Sequence, residues 1–153
     1  MQAAIGRIQL RKLSQWNETR RSNMVKLFDG LSNIPALRIP RIGTQSLHAG
    51  YKAYVYLRPE TLNKGWARDR ILSEINACNI PCFSGTCSEI HRERAFQVSD
   101  FRHKATLDIA KQLGDTSLMF PIHPGITFQN IQAVISATRV VLAMATELSI
   151  AHF

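Results

Sequence analysis

Apolar residues recur through the first 31 positions at Ile5, Ile8, Leu13, Trp16, Met24, Leu27, Phe28 and Leu31, close to the 3.6-residue period of a helix. Arg7, Arg11, Lys12, Arg20 and Arg21 fill the other faces. The pattern predicts one helix over residues 1–31, already under way at its first residue. Met1-Gln2-Ala3-Ala4 puts no Ser, Thr, Asp or Asn ahead of a first turn. A helix of roughly 30 residues is about 45 Å long, more than one small domain covers. Its front half is therefore expected to pack on something else, and the chain to be a piece of a larger protein or one half of an assembly. In the isolated chain the Ile5–Trp16 stripe is expected to drive self-association.

Ser32-Asn33-Ile34-Pro35 ends this helix, and Pro35 and Pro40 keep the next segment extended. Residues 48–57 alternate as a half-buried strand does. Ala49, Tyr51, Ala53, Val55 and Leu57 fall on one face, and Lys52, Tyr54 and Tyr56 on the other. A second helix is expected over 66–78, with Ala67, Ile71, Leu72, Ile75 and Cys78 as its stripe and Asn79 as its stop. Ile80-Pro81-Cys82-Phe83 reads as a short strand, at an edge or a strand start because of Pro81. Ser84-Gly85-Thr86 is a turn, and Ser88 a cap for a short helix over 89–96. Residues 97–104 read as a loop. A third helix follows over 105–113 with Gly114 as its stop, then a buried strand over 116–120. Thr127 caps a last helix carrying Ile131, Val134, Ile135, Val141, Leu142 and Ala145 on one side and fraying toward Phe153. Helices and three short strands in this order predict an α/β arrangement: one domain of 153 residues, made of a long linking helix (1–32) and a small helix-covered sheet (33–153).

Composition narrows the class. A length of 153 residues suffices for a real core, and 45% hydrophobic with 20% charged residues is globular. No apolar run approaches the roughly 18 residues of a membrane span, and the N-terminus has no apolar signal region. Neither a membrane nor a secretory route is expected. Cys78, Cys82 and Cys87 are odd in number and lack bridge spacing, which suits reduced thiols in the cytoplasm. A formal charge of +8 suggests an anionic partner. The basic residues are dispersed and no aromatic-rich strand accompanies them, so solubilising the helices is preferred to binding nucleic acid.

Single residues carry little chemistry. Lys52 lies beside aromatics on a strand, but no phosphate-cradling Gly/Ser loop accompanies it, so it reads as an exposed strand lysine and not as a Schiff-base lysine. His48 and His123 sit near strand ends and read as structural. Cys82, Cys87 and His91 form one loose cluster where zinc needs two close ligand pairs. Cys87 as a nucleophile would need a partnered base that sequence does not show.

Several segments carry a resemblance in order. Gln2-Ala3-Ala4-Ile5-Gly6 with Gln9-Leu10 is similar to the QAAIGLVQL segment that opens the C-terminal part of the DegT/DnrJ/StrS family, the pyridoxal-phosphate-dependent nucleotide-sugar aminotransferases. The resemblance continues through the 48–57 strand, Asn79-Ile80-Pro81-Cys82-Phe83, Ala110-Lys111-Gln112-Leu113 and Ser117-Leu118-Met119-Phe120-Pro121-Ile122-His123-Pro124. It implies the small C-terminal domain of a fold-type-I aminotransferase, its long helix bridging to the large cofactor domain. It also implies a homodimer, a keto sugar on a nucleotide as substrate and glutamate as usual amino donor. By the same resemblance the Schiff-base lysine, the acid at the pyridine nitrogen, the stacking aromatic and the phosphate donors lie in the large domain, outside this chain. No catalytic or cofactor residue is then assigned here, and the chain alone is expected to be inactive.

The site candidate that remains is the loop from Phe83 to His91. The corresponding family loop, often Tyr-Pro-x-Pro-Leu-His, helps line the sugar-nucleotide pocket. Phe83 takes the tyrosine position, and Ser84-Gly85-Thr86 with Ser88 replaces the prolines with hydroxyls able to bond sugar or phosphate oxygens. His91 aligns poorly and gets no role. The alternative is an ordinary turn with a cap at Ser88. Three functions follow: the C-terminal portion of a sugar aminotransferase, a stand-alone non-catalytic sugar-nucleotide-binding or assembly module, and more distantly a basic nucleic-acid binder. Nucleotide-sugar binding without cofactor favours the second, and a salt-sensitive shift with DNA or RNA the third.

Overall fold

The computed structural model describes residues 1–43, 45–97 and 107–146. Helix α1 (Gln2–Leu31) is 30 residues long with no side-chain cap at its start, as the pattern predicts. It ends at Ser32, whose hydroxyl donates to the Asp29 carbonyl at 2.8 Å. Strands β1 (Leu37–Arg38), β2 (Lys52–Leu57) and β3 (Ser117–Pro121) form an antiparallel sheet in the order β1-β2-β3. Helices α2 (Arg68–Ala77), α3 (Arg94–Gln97), α4 (Asp108–Thr116) and α5 (Phe128–Ala145) complete the chain, with single 3₁₀ turns at Pro59–Thr61 and Ile90–Arg92.

The core lies on one face of the sheet. Ala53, Val55 and Leu57 of β2 and Leu118 and Phe120 of β3 meet Met24, Leu27 and Leu31 of α1, Ile71 and Ile75 of α2, and Ile131, Ile135, Val141 and Leu142 of α5. Burying so many Leu, Ile and Phe side chains, each worth roughly 1.5–3 kcal/mol, is the main stabilising term. Helices α1 and α5 cross closely because Gly30 has no side chain; a Cβ there would stand 2.2 Å from Ile135 Cδ1. Arg139 Nη2 closes the crossing with a 2.9 Å bond to the Gly30 carbonyl. Helix α5 starts on the expected Thr127, in a capping box with Asn130.

Only the back of α1 belongs to this core. Residues 1–15 are exposed throughout, including Ile5 (55%), Ile8 (46%) and Leu13 (40%). At 100° per residue Ile5 and Leu13 fall within about 60° of the direction shared by the buried Leu27 and Leu31, whereas Ile8 lies about 120° away. The core-facing stripe therefore runs on past the body of the domain.

Several expectations are corrected. Residues 80–83 do not form a strand; only Phe83 pairs, in a single bridge with Met119, and β1 is the third strand. Pro81 lacks an N–H, and the Asn76 amide takes both backbone groups of Cys82, donating to its carbonyl at 2.8 Å and accepting from its N–H at 3.3 Å. Strand β2 begins at Lys52, leaving Tyr51 exposed, because Gly50 breaks the extended run at φ +62°. Gly114 does not stop α4, which runs to Thr116; the absent side chain makes room for the Ser88 hydroxyl. Ser88 caps nothing, since the turn that follows opens at Glu89 without a side-chain cap bond. Helix α2 starts at Arg68, after an extended Ala67, and stops as expected at Asn79, which is left-handed at φ +59°. Ala67 and Cys78 lie outside its buried stripe and are exposed. The expected loop at 98–104, the start of the third helix at 105–106 and the fraying end at 147–153 lie outside the described residues, and Gln97 belongs to α3.

Candidate functional site

The Phe83–Ser88 loop leaves the β3 edge under close restraint. Phe83 N–H donates to the Met119 carbonyl at 3.0 Å and Met119 N–H returns a bond to Phe83 at 2.8 Å. The Ser117 hydroxyl donates to the Ser84 carbonyl at 2.5 Å. Gly85 then turns at φ +93° and lies against the Tyr54 ring; a Cβ there would meet Tyr54 Cε1 at 2.5 Å. Ser88 packs on Gly114, whose carbonyl accepts from Arg68 Nη1 at 2.9 Å. Phe83 is half-exposed, and Ser84, Thr86 and Ser88 are exposed.

Charge near this loop is mostly balanced. Arg92 pairs with Glu89 at 3.3 Å, and Lys111 with Asp115. Cys87 Sγ donates to Glu93 Oε1 at 3.0 Å, a bond that holds the proton and raises the thiol pKa. An exposed thiol kept protonated is a poor nucleophile. Cys82 is buried, and desolvation pushes its pKa up to about 12, against the smaller lowering effect of backbone bonds to Met119 and Phe83.

A cavity of about 290 Å³ lies elsewhere, between the N-terminal end of α5, the end of β3 and the Asn79–Pro81 segment. Leu27, Ile80, Phe120, Ile122 and Val134 make it mainly apolar, with His123 and Asn130 as polar members. None of Phe83, Ser84, Gly85, Thr86 or Ser88 lines it. Sequence reasoning did not find this cavity, which joins residues about a hundred positions apart; the proline-broken segments at 79–81 and 121–124 were the available signal.

The described residues do not suit pyridoxal phosphate. No lysine lines the cavity. Lys52 stands half-buried on β2 with its ammonium 5.3 Å from the Tyr51 ring centroid, Lys12 lies 5.9 Å from the Trp16 ring, and Lys111 is neutralised by Asp115. Lys26 and Lys64 are exposed. His48 Nδ1 accepts from Gly50 N–H at 2.9 Å, a structural role. Among the described residues no group of His, Cys, Asp and Glu is placed to hold a metal ion.

The family model for the DegT/DnrJ/EryC1/StrS aminotransferases matches residues 1–139. The structure is similar to that of an aminotransferase from Psychrobacter cryohalolentis, with 40% identity and a TM-score of 0.87, over 94% of this chain and 38% of that one. A dTDP-4-dehydro-2,6-dideoxy-D-glucose 3-dehydratase from Saccharopolyspora spinosa is 26% identical over 137 residues, 90% of this chain and 29% of the relative. A GDP-4-keto-6-deoxymannose-3-dehydratase, solved with a trapped PLP–glutamate geminal diamine, shares the fold at 20% identity and a TM-score of 0.71, over 88% of this chain and 34% of that one. The chain thus spans about a third of the length of these relatives. With the family model covering almost its whole length, this chain belongs to the DegT/DnrJ/EryC1/StrS aminotransferase family.

Proposed function

We propose that this chain is the C-terminal, substrate-side portion of a sugar aminotransferase acting on a keto sugar attached to a nucleotide, with glutamate as amino donor. The observation that carries this reading is the family match over residues 1–139, on a chain about a third as long as its relatives, with no lysine among the described residues suited to the cofactor. Family members are pyridoxal-phosphate-dependent, so the cofactor's holder belongs to a large domain outside the described residues. This chain's own part is to bind and orient the sugar nucleotide. Phe83 offers an apolar contact, and Ser84, Thr86 and Ser88 offer hydroxyls to sugar or phosphate oxygens, on a turn that only Gly85 permits.

The apolar stripe of α1 supports the same reading. A large domain laid along residues 1–16 continues the domain's own core and covers Ile5 and Leu13. The assembly is a homodimer in the cytoplasm, where its three free thiols stay reduced.

The test is a chimera in which this chain replaces the corresponding segment of the Psychrobacter relative. Glutamate-dependent amination of a nucleotide keto sugar, with the absorbance of bound pyridoxal phosphate, is expected. A folded chimera that binds the cofactor and transfers no amino group overturns the reading.

A further inference from the structure

The face of the sheet opposite the core carries one row of three side chains across its strands. Tyr54 of β2 pairs with Met119 of β3, and Met119 pairs with Phe83. Directly paired residues share a face. Two residues past Phe83 the chain doubles back over this row, and Gly85 comes down on the Tyr54 ring. Met119, in the middle, is left only 8% exposed, while Phe83 is 49% exposed. Three things set the path of the loop: the Phe83–Met119 bridge, the Ser117 bond to the Ser84 carbonyl and the Tyr54 ring under Gly85. The first uses backbone groups that any side chain would leave in place, and the second uses the Ser117 hydroxyl but only a backbone carbonyl of the loop. The third depends on side-chain identity at both partners. A ring must be present at 54, and position 85 must lack a Cβ and tolerate a left-handed φ.

We propose that Tyr54 is a positioning residue for the sugar-nucleotide site: its ring fixes the height at which the loop crosses the sheet, and so where the Ser84 and Thr86 hydroxyls stand. The inference rests on the function proposed above and adds a residue that the loop sequence does not contain. The ring makes the nearest contact with Gly85, through Cε1, so phenylalanine at 54 keeps the platform and alanine removes it.

The experiment has two arms. Backbone 15N relaxation is measured on the full chain as wild type, Tyr54→Phe, Tyr54→Ala and Gly85→Ala. Wild type and Tyr54→Phe should hold the 84–88 backbone equally rigid. Tyr54→Ala and Gly85→Ala should lower its order parameters, while Met119, bonded to Phe83, stays ordered. In the chimera the same two variants should raise the KM for the nucleotide sugar about tenfold and leave kcat within about threefold, the pattern of lost uniform binding. Tyr54→Phe should match wild type. Gly85→Ala acts from the loop side with the Tyr54 ring intact, so it decides the matter if Tyr54→Ala fails to fold. Unchanged loop order in Tyr54→Ala and Gly85→Ala overturns the proposal, as does a Tyr54→Phe variant as damaged as Tyr54→Ala. A folded, cofactor-bound wild-type chimera that transfers no amino group defeats the functional reading instead, and the relaxation arm still decides whether Tyr54 positions the loop.

Discussion

Gly30→Ala tests how closely α1 and α5 approach. The new Cβ would lie 2.2 Å from Ile135 Cδ1 and 2.8 Å from Cγ1. Rotating the end of the isoleucine relieves the first contact and leaves the second, because Cγ1 is bonded to Cβ. Ile135 is 4% exposed and enclosed by the core, so it has little room to move. Overpacking of this kind costs about 1–3 kcal/mol, and two short contacts place this site near the top of that range. Alanine in a helix interior returns about 1 kcal/mol relative to glycine, and less here, one residue from the end of α1. The net loss is about 2 kcal/mol, a fall in Tm of roughly 4–8 °C for a chain of this size. Thermal and urea unfolding of the full chain measure it. Ile135→Val supplies the control: alone it costs about 0.5–1.5 kcal/mol, but it removes the Cδ1 atom that the new methyl meets. The double variant should therefore be more stable than the sum of the singles by about 1 kcal/mol or more. A stabilising Gly30→Ala, or strictly additive variants, would refute the close crossing.

Three further outcomes are expected. In sedimentation velocity the isolated chain should self-associate with rising concentration, and glutamates at Ile5, Ile8 and Leu13 should abolish this; a wild-type chain monomeric at every concentration counts against the reading of α1. Thr127→Ala should cost about 1 kcal/mol in urea melts by opening the capping box, and no loss would mean that α5 is held by packing alone. Cys82 should resist thiol reagents at pH 8 in the folded chain while Cys78 reacts and Cys87, held protonated by Glu93, reacts more slowly, with the third thiol appearing only on unfolding. Its folded pKa is raised by burial to about 12 from 9.0, so the neutral thiol favours the fold below pH 9 and that contribution is lost as pH rises from 9 toward 12. Cys82→Ala should flatten the alkaline fall in stability, and an identical pH profile would contradict the burial effect.

The family was legible in the sequence because its segments recur in order along the chain, and the model match over residues 1–139 agrees with them. The candidate loop was legible as a turn, since Ser-Gly-Thr following an apolar run has a local signal. What pins it was not, because Tyr54, Met119 and Ser117 reach it across the sheet from 31 or more positions away. The roles given to Ser88 and Gly114 went wrong for one shared reason. Each matched a local rule, a helix cap and a helix stop, while their mutual contact decided both. The third strand was misplaced for a similar reason: the Asn76 side chain satisfied the backbone of residue 82, and β1 paired with β2 instead.

The sequence by itself determined what lies within a few residues of each position. It set the 30-residue helix, the alternation of β2 from Lys52 to Leu57, the left-handed stop at Asn79 and the capped start of α5. Periodicity, backbone sterics and capping act over three or four residues, so these features need no distant partner. Only the tertiary structure decided which strands pair, why Gly30 and Gly85 are glycines, where the apolar cavity lies and how much of α1 stays uncovered. Each of these depends on side chains that meet across long stretches of chain, and such meetings leave no periodic trace in the residues between them.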